Sequence, residues 1–394
     1  MAIFLGDSLE VVSSLPSNSV QVIYIDPPFF SQKKHTLSSK EGKIYAFDDH
    51  WDSIEDYIKF MRDRIIECKR VLKDDGTIFL HCDTSAAHHL RLILDDVFGT
   101  NNFRSEIIWH YKRWSNSKKG LLNAHQTIYF YSKNNKYKFN KIYTEYSATT
   151  NLDQIVQKRT RNSNNKSGYL KDINGQVVLD TSKNGVPLSD VWDLPYLNPK
   201  AKERTGYPTQ KPIHLLKQII NISSDEGDTI LDPFCGSGTS MVAAKLMNRE
   251  YIGVDISPDA IELTNQRLLN PIESNSDLLK KGTDNYKIID PMKLNLLKYF
   301  HAKPIYRNKG LDGFINDSIN NKLMGIKIQN TDESILEAAD KFDKALSKKN
   351  ILNGVLVQTH DELQLDSEKI PYERIKLIKS PDFILHEIMK NSTN

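Results

Sequence analysis

Asp26-Pro27-Pro28-Phe29 is the stretch of this 394-residue chain whose residue types point most directly to chemistry. An exocyclic amine on a heteroaromatic ring is a poor nucleophile, because its lone pair is delocalised into the ring. Two hydrogen-bond acceptors aimed at its N–H groups draw the nitrogen toward sp3 and free that pair. The carboxylate of Asp26 and the carbonyl of Pro27 are such acceptors. Two consecutive prolines fix φ, so both would be held in place before the reactant arrives. Phe29 offers a face on which a ring can stack. The plainer reading is a Pro-Pro turn that ends a strand, with an incidental aspartate.

A second constellation is Asp232-Pro233-Phe234-Cys235-Gly236-Ser237-Gly238-Thr239-Ser240. Its glycines allow a sharp turn and close approach of a ligand. A helix starting after it would offer free N–H groups to an anion. The third glycine of the dinucleotide fingerprint is missing. A ligand with a small anionic end fits better, such as the methionine carboxylate of S-adenosyl-L-methionine. Asp255, about 20 residues on, ends Gly253-Val254-Asp255, where doubly wound folds bind ribose hydroxyls.

These loops need elements to hold them. Val20–Ile25 reads as a strand that must stop before the prolines. A polar loop is expected from there to Trp51. Ile54, Ile58, Met61, Ile65, Cys68 and Leu72 recur at helical spacing, which predicts a helix over about 53–72, ended by Asp74-Asp75-Gly76. A strand over Thr77–His81, a helix over 85–98 and strands over Phe103–His110 and Gln126–Tyr131 follow. From 133 to 207 the periodicity fades, and long loops with a few short strands are expected. Order returns with a helix over 212–223, a strand at 228–231, a helix to about Met247, a strand over Tyr251–Val254 and a helix over Pro258–Leu269. This alternation implies an α/β fold with a doubly wound, mostly parallel sheet. After a polar linker to about 285 comes a small α+β module: a strand near 323–329, a helix near 332–347 and a strand near 352–358.

Charge is distributed unevenly. Residues 110–210 carry 17 Lys and Arg against 7 Asp and Glu, a balance of +10 in a chain whose net charge is +3. Tyr111, Trp114, Tyr129, Phe130, Tyr131, Tyr137, Phe139, Tyr143 and Tyr146 interleave with those charges. A basic, aromatic-rich segment suits a polyanion with stackable bases, and a solvated basic loop is the alternative. Lys112, Arg113, Lys118 and Lys119 form a local cluster beside Tyr111 and Trp114. Cys68, Cys82 and Cys235 are far apart and read as reduced thiols of a cytoplasmic protein. No metal-ligand spacing, signal peptide or membrane-length apolar run is present in the sequence.

The two loops together resemble those of amino-group DNA methyltransferases of the N4-cytosine/N6-adenine type, over about residues 1–270. The order here is catalytic loop (26–29), basic segment (about 110–205), then cofactor loop (232–240), which is similar to the permuted beta class. Gly6-Asp7-Ser8, Phe47-Asp48-Asp49-His50-Trp51, His81-Cys82-Asp83 and Thr209-Gln210-Lys211-Pro212 fit the same pattern. The resemblance implies a Rossmann-like methyltransferase sheet. Its catalytic half would be 1–110, its irregular DNA-recognition insertion 111–205 and its cofactor-binding half 206–270. Residues 271–394 are left without a role. It implies S-adenosyl-L-methionine as cofactor, with Asp7 toward the cofactor's adenine, Lys211 close to it, and Asp232 through Thr239 and Asp255 around it. It also implies double-stranded DNA as partner and a flipped target base, and leaves a companion restriction endonuclease and a homodimer open. In this family a leading Asp goes more often with adenine and a leading Ser with cytosine. The expected target is therefore N6 of adenine, with N4 of cytosine as the alternative. RNA or protein N-methylation and a silent DNA-binding module are more distant alternatives.

Overall fold

The structure is a computed structural model. It describes the chain apart from residues 40–41, 113–119, 145–157, 162, 164, 179–184, 275–289, 307, 318–321, 361–369 and 393–394. Residues 1–280 form one compact unit and residues 281–394 another.

In the first unit the chain runs β1 (Ala2–Leu5), α1 (Ser8–Ser14), β2 (Val20–Ile25), β3 (Lys34–Ser38), β4 (Ile44–Asp48), α2 (Ile54–Val71), β5 (Leu72–Cys82), α3 (Ala87–Phe98), β6 (Phe103–His110) and β7 (His125–Ser132). Short strands β8 (Tyr143–Thr144), β9 (Arg159–Arg161), β10 (Ser167–Tyr169), β11 (Val186–Pro187) and β12 (Val191–Asp193) follow. Then come α4 (Ile213–Ser223), β13 (Thr229–Asp232), α5 (Thr239–Leu246), β14 (Glu250–Asp255) and α6 (Pro258–Leu269). Among the described residues the main sheet has the order β1-β14-β13-β2-β5-β7-β6-β12. The five strands from β1 to β5 are parallel, and β7 is antiparallel to both of its neighbours. This is the doubly wound sheet expected from the alternation of elements.

Alternation along the strands divides the core. Val20, Ile23 and Ile25 of β2 pack with Tyr57, Met61 and Ile65 of α2 and Leu90 and Leu94 of α3. Val22 and Tyr24 point the other way, toward Leu216 and Ile220 of α4 and Met241 and Val242 of α5. A strand buried on both faces therefore reads as continuously apolar. The helix α2 starts where Ser53 accepts the Asp56 N–H at 3.1 Å. It carries Glu55 and Asp56 in its first turn and Lys69 and Arg70 in its last, complementing its dipole.

Two expectations need correction. Asp74-Asp75-Gly76 does not terminate α2, because the helix ends at Val71 and the strand begins at once at Leu72, whose partner is Val20. Gly76 lies in that strand where an added Cβ would come 2.9 Å from the Lys73 carbonyl and 3.0 Å from the Gln21 carbonyl, so only glycine fits. The polar loop before Trp51 contains the hairpin β3–β4. Its side chains alternate between exposed and partly buried over only five residues per strand, too little apolar surface to stand out in sequence. The insertion also contributes to the sheet: β12 pairs with β6, and Trp192 is a core residue, 3% exposed, with its indole N–H donating to the Ser189 carbonyl.

In the second unit α7 (Pro291–Tyr299), β15 (Lys303–Pro304), β16 (Gly313–Asp317), β17 (Lys322–Ile328), α8 (Ile335–Lys348), β18 (Asn353–Gln358), β19 (Ile375–Lys379) and α9 (Pro381–Ser392) build a mixed sheet of order β15-β16-β17-β18-β19. The expected β-α-β is its centre: β17 and β18 are parallel, joined through α8, which opens on a Ser334–Glu337 capping box.

Candidate active site

β2 and β13 are parallel neighbours, so the loops after them open on the same edge of the sheet. Asp26 follows β2, Asp232 ends β13 and Asp255 ends β14. Between these ends lies a crevice of about 480 Å³. Its walls include Asp7, Asp26, Pro27, Pro28, Phe29, Lys211, Asp232, Pro233, Phe234, Cys235, Gly236, Ser237, Thr239 and Asp255. All of the catalytic and cofactor candidates but one thus converge on one space. Gly238 is the exception: it caps α5 at φ +71°, and an added Cβ would strike Thr264 at 2.5 Å. It is small in order to let α6 pack.

The catalytic loop is held from several sides. Lys211 Nζ donates to Asp26 Oδ2 at 2.5 Å and lies 5.3 Å from the Phe29 ring centroid. The sequence reading set Lys211 beside the cofactor, and the structure adds a partner, the carboxylate of Asp26. Asp26 Oδ1 is buried with no hydrogen-bond partner among the described residues; His81 Nδ1 lies 4.0 Å away. Burial raises the Asp26 pKa from the usual carboxylate value, and Lys211 opposes that rise by charge and hydrogen bond. Beneath it, Tyr24 donates its hydroxyl to His81 Nδ1 (2.7 Å) and His81 Nε2 donates to the Gln126 side-chain oxygen (2.9 Å). Burial and the nearby Lys211 charge hold the His81 pKa well below its ordinary value, so this imidazole is neutral. Tyr57 donates its hydroxyl to the Pro28 carbonyl at 2.8 Å.

The cofactor side is built around two carboxylates. Asp232, 2% exposed, accepts the Phe234 N–H at 3.0 Å and the Ser240 hydroxyl. Burial pushes its pKa up to about 7. Asp255 accepts the N–H of Gly236 (2.8 Å) and of Ser257 (2.8 Å), tying the Gly-rich turn to the end of β14. Gly236 has φ +49°, and an added Cβ would lie 3.2 Å from the Tyr207 ring. At Gly236 the turn therefore carries no side chain of its own toward the crevice, and the Tyr207 ring lies against it. An apolar crevice bounded by a helix start and buried carboxylates fits an adenosyl ligand with a charged end. Asp7 lines the crevice while capping α1 through the Leu9 N–H (2.8 Å) and pairing with Arg64 (2.6 Å). Cys235 is buried, and burial raises its thiol pKa far above the ordinary value, so it is packing, not a nucleophile.

Two elements of the site escaped the sequence reading. The hairpin β3–β4 contributes His35, Ala46, Phe47 and Asp48 to the crevice wall. Lys43, at its turn, reaches Asp259 (2.8 Å) and Glu262 (2.9 Å) on α6. The only signal of this in sequence was the Phe47–Trp51 run.

The basic segment is divided in its uses. Lys138 pairs with Asp225 (2.9 Å) and Asp228 (2.6 Å), and Lys133 donates to the Leu72 carbonyl (2.7 Å), so these two charges brace the scaffold. Tyr111, Tyr129, Phe130 and Tyr131 are buried in the core, not presented to a ligand, whereas Phe139 and Tyr143 are exposed. Lys112 is exposed just beyond β6. Arg113, Lys118, Lys119, Trp114 and Tyr146 lie outside the described residues.

Comparison with known proteins agrees with this geometry. The N6/N4 methylase profile, described as DNA methylase, matches residues 20–266. The Type II methyltransferase M.HpaI of Haemophilus parainfluenzae is 31% identical over 281 residues, covering 70% of this chain and 77% of that protein. M.BglII of Bacillus subtilis is 27% identical, covering 73% and 76%. M.HinfI of Haemophilus influenzae is 29% identical, covering 73% and 74%. The chain belongs to the N6/N4 DNA methylase family, enzymes that draw their methyl group from S-adenosyl-L-methionine.

Proposed function

We propose that this chain methylates N6 of adenine within a short sequence of double-stranded DNA. It would act in the cytoplasm as the modification partner of a restriction endonuclease. The observation that carries the reading is Asp26 Oδ1, a buried carboxylate oxygen without a hydrogen-bond partner among the described residues, on the wall of a crevice it shares with the Gly-rich turn. An unsatisfied buried acceptor is costly and calls for a donor. An amine N–H on a flipped base supplies one. The likeness to Type II methyltransferases supports the restriction setting, and the leading aspartate supports adenine over cytosine.

Asp26 and the Pro27 carbonyl accept from the target amine, and Phe29 stacks on the base. Lys211 fixes the Asp26 carboxylate and opposes the rise that burial imposes on its pKa. Gly236 and Ser237, with the start of α5, bind the charged end of the cofactor, and Asp255 sits where ribose hydroxyls are recognised. When bound, S-adenosyl-L-methionine supplies an electrophilic methyl group on a sulfonium. The acceleration comes mainly from holding amine and methyl donor in line, with acceptors that stabilise the positive charge growing on nitrogen. The proton then leaves to water past Asp26. No covalent intermediate with the protein is required.

Single-molecule sequencing of unmethylated genomic DNA treated with the purified protein and cofactor tests this. N6-methyladenine at one short recurrent sequence is expected. N4-methylcytosine there would overturn the base assignment. Asp26→Ala is expected to abolish tritium transfer from labelled cofactor to DNA while cofactor affinity stays within a few-fold; appreciable turnover would remove Asp26 from the mechanism.

A further inference from the structure

Asp49 ends the hairpin β3–β4 and is 1% exposed. Its carboxylate accepts five hydrogen bonds. They come from the backbone N–H groups of Phe29 (3.2 Å), Phe30 (3.1 Å) and Ser31 (2.8 Å), the Ser31 hydroxyl (2.6 Å) and the Trp51 indole N–H (3.0 Å). Three successive peptide N–H groups on one carboxylate mean that the chain wraps around it directly after the catalytic prolines. The wrap is strained: Phe30 has φ +61° and Gln32 φ +54°, the left-handed region that bulky side chains avoid. The backbone of Asp49 closes the same turn, accepting the Gln32 N–H (3.0 Å) and donating to the Lys33 carbonyl (3.0 Å). On the far side, Tyr57 holds the Pro28 carbonyl.

We propose that Asp49 is the positioning residue of the catalytic loop. It fixes the peptide that carries Phe29 and so sets the stacking face against the Asp26 acceptor. This rests on the reading of 26–29 as the catalytic loop. The chemistry needs an acceptor-only side chain. Two carboxylate oxygens provide about four lone-pair sites for donors. Asparagine has nearly the same shape, but its NH2 would confront N–H groups that it cannot accept. Asp49 touches no reactant in this scheme; it acts through the backbone at Phe29. The hairpin thus has a task, which is to deliver this carboxylate beneath the loop from 20 residues away in sequence.

The test compares Asp49→Asn, Ser31→Ala and Trp51→Phe with the wild-type chain. Methyl transfer to unmethylated genomic DNA is measured at saturating cofactor, and cofactor affinity by calorimetry. Asp49→Asn is expected to slow transfer about 30-fold, equivalent to about 2 kcal/mol of transition-state stabilisation. Cofactor affinity should stay within a few-fold. A transfer rate near wild type overturns the proposal. So does a loss of cofactor affinity equal to the loss of rate, because collapse of the whole crevice would lower both. Ser31→Ala and Trp51→Phe each remove one donor and keep the carboxylate; each is expected to slow transfer about threefold, equivalent to about 0.7 kcal/mol. If Asp49→Asn does not fold, wild-type rates in both of these variants overturn the proposal. Asp26→Ala separates the two levels. An inactive Asp26→Ala beside fully active Asp49 and Ser31 variants sinks this inference alone, whereas an active Asp26→Ala sinks the reading beneath it.

Discussion

Lys211 Nζ stands 2.5 Å from Asp26 Oδ2 across 185 residues of sequence, and the lysine is only 5% exposed. The pair joins the opening of the cofactor half to the tip of β2. It leaves the second Asp26 oxygen without a hydrogen-bond partner among the described residues, and it opposes the effect of burial on the Asp26 pKa.

Lys211→Met should therefore move the pH dependence of methyl transfer. Catalysis needs the carboxylate, so activity is lost as pH falls through the Asp26 pKa. Burial raises that pKa and Lys211 lowers it; without the lysine the acid limb should shift to higher pH. Lys211→Arg keeps a charge and should shift it less. An acid limb unchanged in Lys211→Met, read from single-turnover rates between pH 5 and 9, would mean that the pair does not tune Asp26.

Asp232 should make the fold less stable as pH rises through the weakly acidic range. Its folded pKa of about 7 lies above the usual carboxylate value of about 3.9 in the unfolded chain. Between those values the folded state keeps a proton that the unfolded state releases, so stability falls with rising pH and levels off above the folded pKa. The slope is at most about 1.4 kcal/mol per pH unit for one proton. Asp232→Asn should flatten this component in urea unfolding at pH 4.5, 6 and 7.5. Parallel curves for mutant and wild type would show that Asp232 ionises as it would in water.

Gly236→Val should weaken cofactor binding for two reasons that add. A residue forced to φ +49° costs about 1–2 kcal/mol, and its side chain must displace the Tyr207 ring. Tyr207 is the group that an added side chain meets first. Calorimetric titration with wild-type affinity would remove this turn from the cofactor site.

Neutralising Lys112, Arg113, Lys118 and Lys119 together should weaken binding to DNA of any sequence. The slope of log K against log salt should flatten by up to about 3–4, at about 0.9 per phosphate contact. Choice of sequence should be little changed, since phosphate contacts position and base contacts specify; that choice should depend instead on residues between 145 and 205. A quadruple mutant with the wild-type salt slope would show the cluster to be merely solvated.

The sequence by itself determined the chemistry-bearing loops and the kind of element around each. Pro27 and Pro28 must stop a strand, Gly236 and Gly238 must turn sharply, and the spacing from Ile54 to Cys68 must make a helix. These are local constraints of φ, hydrogen bonding and period, and they act on neighbours along the chain. The elements read from pattern between Val20 and Leu269 stand close to where pattern put them, whereas β1, α1 and the hairpin β3–β4 were not read. Pattern failed where the deciding contacts are non-local. Nothing near residue 76 shows that its Cβ would meet the Gln21 carbonyl. Nothing near Tyr129 or Tyr131 distinguishes a core ring from a base-stacking one until β7 is set between β5 and β6. The hairpin β3–β4 has too short and too polar an alternation to be read, yet it brings Asp49 beneath Phe29. Lys211 and Asp26 sit in separate halves of the chain, and the pairings of β13 with β2 and of β14 with β1 bring those halves together. Residue type and spacing could mark out the groups that do chemistry. Which of them share a proton, a charge or a backbone turn depended on strand order, because register in a sheet is set by packing on both of its faces.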